Sequence, residues 1–579
     1  MANQPEQETQ HALLVVWGKF AQEIGLIAGI EAVKIGQKNY EHPPQAKVLE
    51  LFVAILTGAK HLQDISLAAH PLDKDLAVAQ AWGQNSWADY SGVSRTMGKL
   101  SWEEARALVA VLERVGKPFI ESELKLIQRQ GKTVEQDGDL TGIPVSNTSR
   151  TYPNAAYGHM DDEIRLGYQA GVTSFHSPTY GRLWLSVEHH AGDTVSCTQA
   201  EGLVLAAGKR TELRPRRRTE LLQGRIEAFH GECQPAEKRL EDQKAALEKA
   251  YSAKQETLVQ LQEAQLSPKT KPGRIQSLER RGLRRQQAIE TAQKRIKKTL
   301  HLLQAQMEQE KILRTRLQRF EQENADNPDP SKICFRLDAG FGTYANIALL
   351  IEMGYELYTK LHSHKVVQVL QKLVLPENTW TRVGKNAEMV AWPALKLDNC
   401  PYPLSLGLER FHTGNKKLKH SALVYFGDAP ATQDLPAWFG KYNGRQDIEA
   451  GIKETKQVFY LHRIKVRSEP AIYLQEAMTI FAANFIRWAA VWIEQHAQPD
   501  QNQLKIRKMG IKRQVQVAAH TSAKVILNSE GMLLRFSPAS SLAGKTLLFP
   551  ASKEHFRPNY FLPLFTLFKM IAQRLRLTF

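Results

Sequence analysis

KYNGRQDIEAGIKETKQVF, residues 441–459, decides how the rest of this chain is read. Tyr442, Arg445, Glu449 and Lys456 follow one another at gaps of three, four and seven residues, and on an α-helix such gaps bring side chains to one face. A helical stripe is usually apolar and packs on a core. The apolar stripe here runs elsewhere, through Ile448, Ile452, Thr455 and Phe459. The helix is therefore expected to turn that side to the protein and to present an aromatic hydroxyl, a guanidinium, a carboxylate and an ammonium outward. A carboxylate between fixed cations suits a site that handles a metal ion and a phosphate backbone together. Taken alone, Arg445 and Glu449 read equally well as a helix ion pair, worth about a few tenths of a kcal/mol.

Two acidic segments lie upstream. In KTVEQDGDLTGIPVS, Lys132–Ser146, a short strand between turn residues carries Asp137 and Asp139, which are two apart and share a face. In KICFRLDAGFGTYANIALL, Lys332–Leu350, Ile333, Phe335 and Leu337 alternate with Cys334, Arg336 and Asp338. That is a strand ending in an acid, then a Gly-rich turn and an apolar helix. Open α/β sheets hold their ligands beyond the carboxyl ends of their strands. Each acid by itself also fits a solvated turn.

Together these segments resemble the DDE transposases of bacterial insertion sequences, in the IS-four type subgroup. The subgroup hallmark Y-x2-R-x3-E-x6-K is matched by Tyr442, Arg445, Glu449 and Lys456. Asp139-Leu140-Thr141 matches the D-x-T context of the family's first acid, and RLDAGFG places Asp338 in the context of the second. FYLHRIKVRSEP and the helix AMTIFAANFIRWAAVWI continue the likeness, which covers roughly Lys132 to Ile493 apart from one long insertion.

The resemblance implies an α/β fold with a ribonuclease H-like catalytic core. Its strands would be the Asp139 segment, Glu163–Ser177, Gly181–Asp193, the Asp338 segment and Tyr355–Leu361, with the Glu449 helix packed across the sheet. It implies that Asp139, Asp338 and Glu449 are catalytic and hold two Mg²⁺ ions (Mn²⁺ as a substitute), with Asp137 the alternative first acid. Two Mg²⁺ about 3.5–4 Å apart serve in-line attack on a phosphodiester, and Mg²⁺ takes oxygen ligands. Arg445 and Lys456 would grip phosphates, Arg in a bidentate way and Lys as a point charge. Tyr442 would bond a phosphate or stack on a displaced base. The subgroup often cuts through a DNA hairpin with a flipped base on an aromatic. Trp438 is the nearest tryptophan to the signature, and burial in a core is its other reading.

The remaining sequence fits a DNA partner. Lys and Arg number 77 against 60 Asp and Glu, a formal charge of +17, which speeds encounter with polyanions without singling out DNA from RNA or an anionic membrane. The most apolar helix, Met478–Ile493, is short and carries Asn484 and Arg487, so no membrane span is expected. The polar start MANQPEQETQ does not read as a signal peptide. Cys197, Cys233, Cys334 and Cys400 form no C-x-x-C, which fits free thiols in a reducing cytoplasm; association with the nucleoid is what the resemblance implies.

Five regions are expected. Residues 1–130 read as helical, and Asp89–Ala105 fits a helix-turn-helix whose second helix opens at Val93, Ser94 and Arg95; DNA binding and dimerisation by this domain are what the resemblance implies. The catalytic core takes residues 131–213 and 326–495. Between them, 214–325 read as an antiparallel coiled-coil hairpin broken at SPKTKPG. Leu240, Leu247, Tyr251, Leu258 and Leu261 make its heptad-like steps before the break, and Ile289, Ile296 and Leu303 after it. Each arm of about fifty residues would reach about 70 Å. Its cations, among them Arg280, Arg284, Lys294 and Lys298, leave open whether it dimerises or clamps DNA. Within the core, 362–440 read as the β-rich insertion of the subgroup, with strand-like pieces at Lys365–Leu375, Met389–Leu395 and Ser421–Gly427, and with Lys416, Lys417 and Lys419 as DNA contacts. The region 496–579 is basic and aromatic, with a core-capping helix the simplest expectation for its tail.

The expected function is Mg²⁺-dependent cut-and-paste transposition by a homodimer acting on double-stranded DNA, both at terminal inverted repeats and at the target. The alternatives are a ribonuclease H-like nuclease without strand transfer and a non-enzymatic DNA-binding scaffold built on the coiled coil.

Overall fold

The computed structural model describes residues 6–38, 41–147, 152–160, 163–375, 379–412, 417–428, 431–499, 503–528 and 531–550. The chain is mixed α/β and divides into two units. One contains the residues up to Arg214, Lys332–Leu350 and those from Tyr355 on; the other contains Pro215–Ser331 and Ile351–Gly354.

The first unit opens with a strand, β1 (Glu6–Thr9), that the sequence pattern does not announce. Helices α1 (Ala12–Glu23), α2 (Leu26–Glu31), α3 (Pro44–Leu56), α4 (Asp64–Leu67), α5 (Leu76–Ala81), α6 (Tyr90–Gly98) and α7 (Trp102–Arg129) follow. Val93, Ser94 and Arg95 lie inside α6 and do not open a second helix. The next helix starts at Trp102 because Ser101 and Glu104 form a reciprocal capping box: the Glu104 N–H donates to Ser101 Oγ at 3.2 Å and the Ser101 N–H to Glu104 Oε2 at 2.8 Å.

Glu50 is fully buried in α3, where its Oε2 accepts the Ala88 N–H at 3.0 Å and its other oxygen has no partner among the described residues. Burial pushes its carboxyl up to about 9. The folded state therefore keeps a proton that the unfolded chain releases near the ordinary value of 4.5, so stability is full below that pH and falls as pH rises toward 9. Glu50→Gln is expected to flatten this decline. Thermal denaturation should show the variant equal to wild type near pH 5 and more stable at pH 8, by on the order of 2–4 kcal/mol.

The main sheet is built from β2 (Val134–Pro144), β3 (Ala156–Met160), β4 (Glu163–Ser177) and β5 (Gly181–Ala191), then, after helix α8 (Ala200–Thr211), from segments beyond the second unit. That unit holds α9 (Thr219–Leu266) and α10 (Pro272–Ala325). Next come β6 (Ile333–Arg336), α11 (Tyr344–Glu352), β7 (Glu356–Lys360), α12 (His364–Leu373), β8 (Thr381–Arg382), β9 (Ala387–Leu395), β10 (Leu404–His412) and β11 (Leu418–Phe426). The order across the sheet is β3-β4-β2-β6-β7-β11-β10-β9-β8, with β5 also on β4. β2, β6 and β7 run parallel, while β4 is antiparallel to both β2 and β5.

One expectation is corrected here. Lys365–Leu375 is not strand-like: Val366 and Leu370 are buried four residues apart, a helical period, and the segment forms α12. The β-rich stretch continues the main sheet. β11 pairs with β7, which joins it to the core strands, and β10 supplies a strand beyond the three pieces expected.

Helices α13 (Leu435–Asn443) and α14 (Gln446–Val458) follow the sheet, and α15 (Glu469–His496) forms the spine of the unit, buried along most of its length. Two polar residues of α15 hold specific partners. Asn484 bonds both the N–H and the carbonyl of Trp184 at 2.9 Å, beside the register shift between β4 and β5. Arg487 reaches Glu454 on α14 at 2.8 Å. Phe119 stacks on Trp488 at 4.5 Å, and Phe20 and Phe52 pack on Phe485. Beyond α16 (Gly510–Gln516), strands β12 (Ala523–Asn528), β13 (Gly531–Phe536) and β14 (Thr546–Pro550) form a second sheet in the order β1-β12-β13-β14. Strands thus stand in residues 523–550, where no sheet was expected; the final FLPLFTLFKMIAQRLRLTF and Lys416 lie outside the described residues. No helix among the described residues is long and apolar enough to cross a membrane.

In the second unit α9 and α10 pair antiparallel, as bonds between Gln243 and Thr299 (3.0 Å) and between Lys254 and Gln286 (2.6 Å) show. The shielded positions of α10 step by three and four through Leu278, Gly282, Arg285, Ile289, Ala292, Ile296, Thr299 and Leu303, the spacing of a coiled-coil seam. In α9 the seam passes through Leu240, Gln243, Leu247, Ala250, Lys254, Thr257 and Leu261. Tyr251 and Leu258, expected in the seam, are exposed one residue beside it.

Candidate active site

The parallel pairing of β2 with β6 sets Asp137 beside Arg336. Asp139 and Asp338 each lie two residues further along, Asp139 in the middle of β2 just past its pairing with β6, and Asp338 just past the end of β6. Asp338 accepts the Gly340 N–H at 2.9 Å and so starts the turn that leaves the strand. Thr359 on β7 donates to the Asp338 carbonyl at 3.0 Å.

The third acid comes from the α13–α14 elbow, and here the single-helix stripe is corrected. Tyr442 lies in the last turn of α13, and Arg445 precedes the first turn of α14. The Lys441 carbonyl accepts from the Arg336 guanidinium at 3.1 Å. The Arg445 N–H, which would cap that carbonyl in a continuous helix, bonds Tyr442 O instead at 3.1 Å. A Cβ on Gly444 would collide with Arg336, so glycine is what lets the elbow close on it. The row is also not turned outward as a whole. Tyr442 and Arg445 are buried, Lys456 is half-buried in the last turn of α14, and Glu449 is exposed. Of the apolar stripe, Ile448, Thr455 and Phe459 are buried and Ile452 is half-buried.

Arg445 stands among the acids. Its guanidinium meets Asp139 Oδ2 at 3.3 Å and pairs with Glu449 on its other side. Burial pushes the Asp139 carboxyl up to about 7; Arg445 opposes the rise, and the negative charges of Asp338 and Glu449 add to it. The three acids therefore share one electrostatic neighbourhood with a single arginine in it. Among the described residues no group of three or more His, Cys, Asp or Glu side chains could hold a metal ion as arranged. The Arg445–Glu449 pair separates Glu449 from Asp139.

Asp137 has a different environment. It is 2 % exposed and takes both forks of Arg336, Nε at 2.6 Å and Nη2 at 2.9 Å, while Nη1 meets Glu135 at 3.0 Å. Its oxygens are committed to an internal ion pair, and Asp139 is the acid left facing Arg445. Trp438 is 2 % exposed, in a cluster with Tyr358, Met389, Tyr425 and Tyr442, and so packs beneath the elbow.

Three residues of this neighbourhood do not stand out in the sequence. Lys360, at the end of β7, lies over the Tyr442 ring at 5.2 Å and meets Glu409 at 3.1 Å. Its sequence signal is a lysine at the carboxyl end of a parallel strand. Arg336 is signalled by a charge inside a fully buried strand, where parallel sheets are normally apolar throughout. Arg182 on β5 donates to the Asp447 carbonyl and meets Glu454 at 3.2 Å, bracing α14 from behind. Gly451 is the α14 residue against which Arg182 lies, and a Cβ there would collide with the guanidinium. Nothing local in the sequence marks Arg182. A scan against models of protein families found no match to this chain, and neither did a comparison with curated proteins.

Proposed function

We propose that the chain is a DDE-type DNA transposase that cuts transposon ends and joins them to target DNA, on a ribonuclease H-like core. The observation that carries the reading is the meeting of Asp139, Asp338 and Glu449 around Arg445 from three separate parts of the chain. The sheet supports it: the strands of Asp139 and Asp338 are neighbours, and the β5-β4-β2-β6-β7 block contains the five expected strands.

The donor set suits Mg²⁺, because the three side chains offer carboxylate oxygens alone. The charge balance suits it too, since burial, with the charges of Asp338 and Glu449 added, pushes Asp139 up to about 7 against the opposing charge of Arg445. Asp139, Asp338 and Glu449 would hold two Mg²⁺, which when bound activate the attacking water or 3′-hydroxyl and stabilise the leaving oxygen. Glu449 can join the other acids only by parting from Arg445, and that exchange would free the guanidinium for a phosphate, its preferred bidentate partner. Lys456 and Lys360 add point charges for the DNA backbone. Tyr442, buried beneath Lys360, would hold the elbow and bond a phosphate only at its hydroxyl edge.

The test is a supercoiled plasmid carrying the gene with its flanking genomic DNA, incubated with the protein and Mg²⁺ or Mn²⁺. Nicking at discrete flanking positions, followed by joining of pre-cut ends to a second plasmid, is expected. Nicking without joining assigns the chain to the nuclease class, and DNA binding with neither leaves only a scaffold.

A further inference from the structure

The cations of the α9–α10 arm fall into two classes. Near the base they are internally matched: Arg225 and Arg316 share the buried Glu352 at 2.5 and 2.9 Å, Arg217 meets Glu323 at 2.6 Å, and Arg314 meets Glu310 at 2.6 Å. Toward the tip of α10 the matching stops. Between Lys269 and Lys298 the only acids are Glu279 and Glu290. Arg280, Arg281 and Arg284 form one exposed group, and Lys294, Lys297 and Lys298 a second. None of the six is in an ion pair among the described residues.

The seam positions Leu278, Gly282, Arg285, Ile289 and Ile296 put both groups on the solvent side. Arg280 and Lys294, like Arg284 and Lys298, are fourteen residues apart, two heptads, so they repeat on one face about 21 Å apart. From Arg274 to Lys298 the helix runs about 36 Å, close to ten base pairs of duplex at about 3.4 Å each. Like charges four apart, as in Arg280/Arg284 and Lys294/Lys298, repel each other on the helix face and destabilise it. A rigid helix that keeps such repulsion over this length fits a long partner with regularly spaced negative charge. A membrane surface fits less well, because it calls for a broad apolar face, and Leu283 is the large apolar side chain exposed in this stretch.

We infer that the outer face of α10 from Arg274 to Lys298 is a rail for the phosphates of double-stranded DNA, gripping about one turn without reading its sequence. The inference rests on the proposed function only in choosing DNA as the polyanion.

The test uses the full chain without divalent ions and a mixed-sequence 30-base-pair duplex, with affinity followed by anisotropy from 50 to 300 mM KCl. Arg280→Gln/Arg284→Gln/Lys294→Gln/Lys298→Gln is expected to make the log K against log salt slope shallower by about 3–4, at about 0.9 for each phosphate no longer neutralised. Binding at 100 mM should fall at least thirtyfold. Each half of the set should give about half of the slope change. Lys238→Gln/Arg239→Gln/Lys244→Gln/Lys249→Gln, which removes the same charge from α9, should move the slope by less than one. Equal slopes for the two sets overturn the rail. So does an unchanged DNA slope with weakened self-association in sedimentation, which makes the face an interface with a second copy. An unchanged DNA slope with weakened binding to phosphatidylserine vesicles makes it a membrane face and equally overturns the rail. Because no metal is present, a wild type that fails to nick DNA removes the transposase reading without touching this result.

Discussion

Exchange of Asp139, Asp338 or Glu449 for its amide is expected to abolish metal-dependent nicking, by on the order of 10³-fold or more, about 4 kcal/mol of lost transition-state stabilisation. Each amide keeps the size of the side chain and removes the charge that would hold the cation. Folding should survive in all three. Asp139 sits with Arg445 as its ion-pair partner, and its carboxyl is already pushed up to about 7 by burial and by the neighbouring acids, so loss of its charge relieves as much as it costs. Glu449 is half exposed, where an ion pair contributes little. The informative contrast is Asp137→Asn. Its carboxylate is enclosed by Arg336, so this variant should be unstable rather than specifically inactive. Circular dichroism beside the nicking assay separates the two outcomes. An Asp139→Asn protein that still nicks while Asp137→Asn folds but does not would move the first acid to Asp137.

The largest stability effect is expected at Arg336. Its guanidinium binds Asp137 on β2, Glu135 on the same strand and the Lys441 carbonyl at the end of α13. One side chain on the Asp338 strand thus fixes the Asp139 strand and the elbow that leads to Glu449. Arg336→Met leaves the Asp137 carboxylate buried and unpaired, which costs about 3–5 kcal/mol. Adding Asp137→Leu should restore most of that stability, because replacing both members of a buried pair is often near neutral. The double variant should fold yet nick poorly, since the Lys441 carbonyl and the elbow have lost their tie. Chemical denaturation reads the first effect and nicking by the refolded double variant the second. Full activity in the double variant would reduce Arg336 to a purely structural pair.

Residues of the candidate site and elements of the frame were legible in the sequence where their signals are local. Tyr442, Arg445, Glu449, Asp139 and Asp338 were picked out by one spaced signature and two short acidic contexts, all local in sequence, although Tyr442 and Arg445 fall on either side of a helix break. The elbow was not, because Gly444 looks like one more residue in a helical run until Arg336, more than a hundred residues earlier, takes the Lys441 carbonyl. Burial of Tyr442 and Trp438 depends in the same way on β7, β9 and β11 packing beneath them. In the arm the heptad pattern was visible, but polar seam residues such as Gln243, Lys254 and Thr257 misdirected the register toward Tyr251 and Leu258. Pairing of β1 with β12, across more than five hundred residues, leaves no local trace at all.

Divalent-ion binding by the whole chain tests the central claim most directly. Mn²⁺ titrated into protein with duplex DNA, and followed by electron paramagnetic resonance, should occupy two sites per chain in wild type. The Asp139→Asn/Asp338→Asn/Glu449→Gln protein, folded by circular dichroism, should lose both. Equal Mn²⁺ occupancy in the two proteins would contradict the account, because the carboxylates around Arg445 would then have no part in holding a metal.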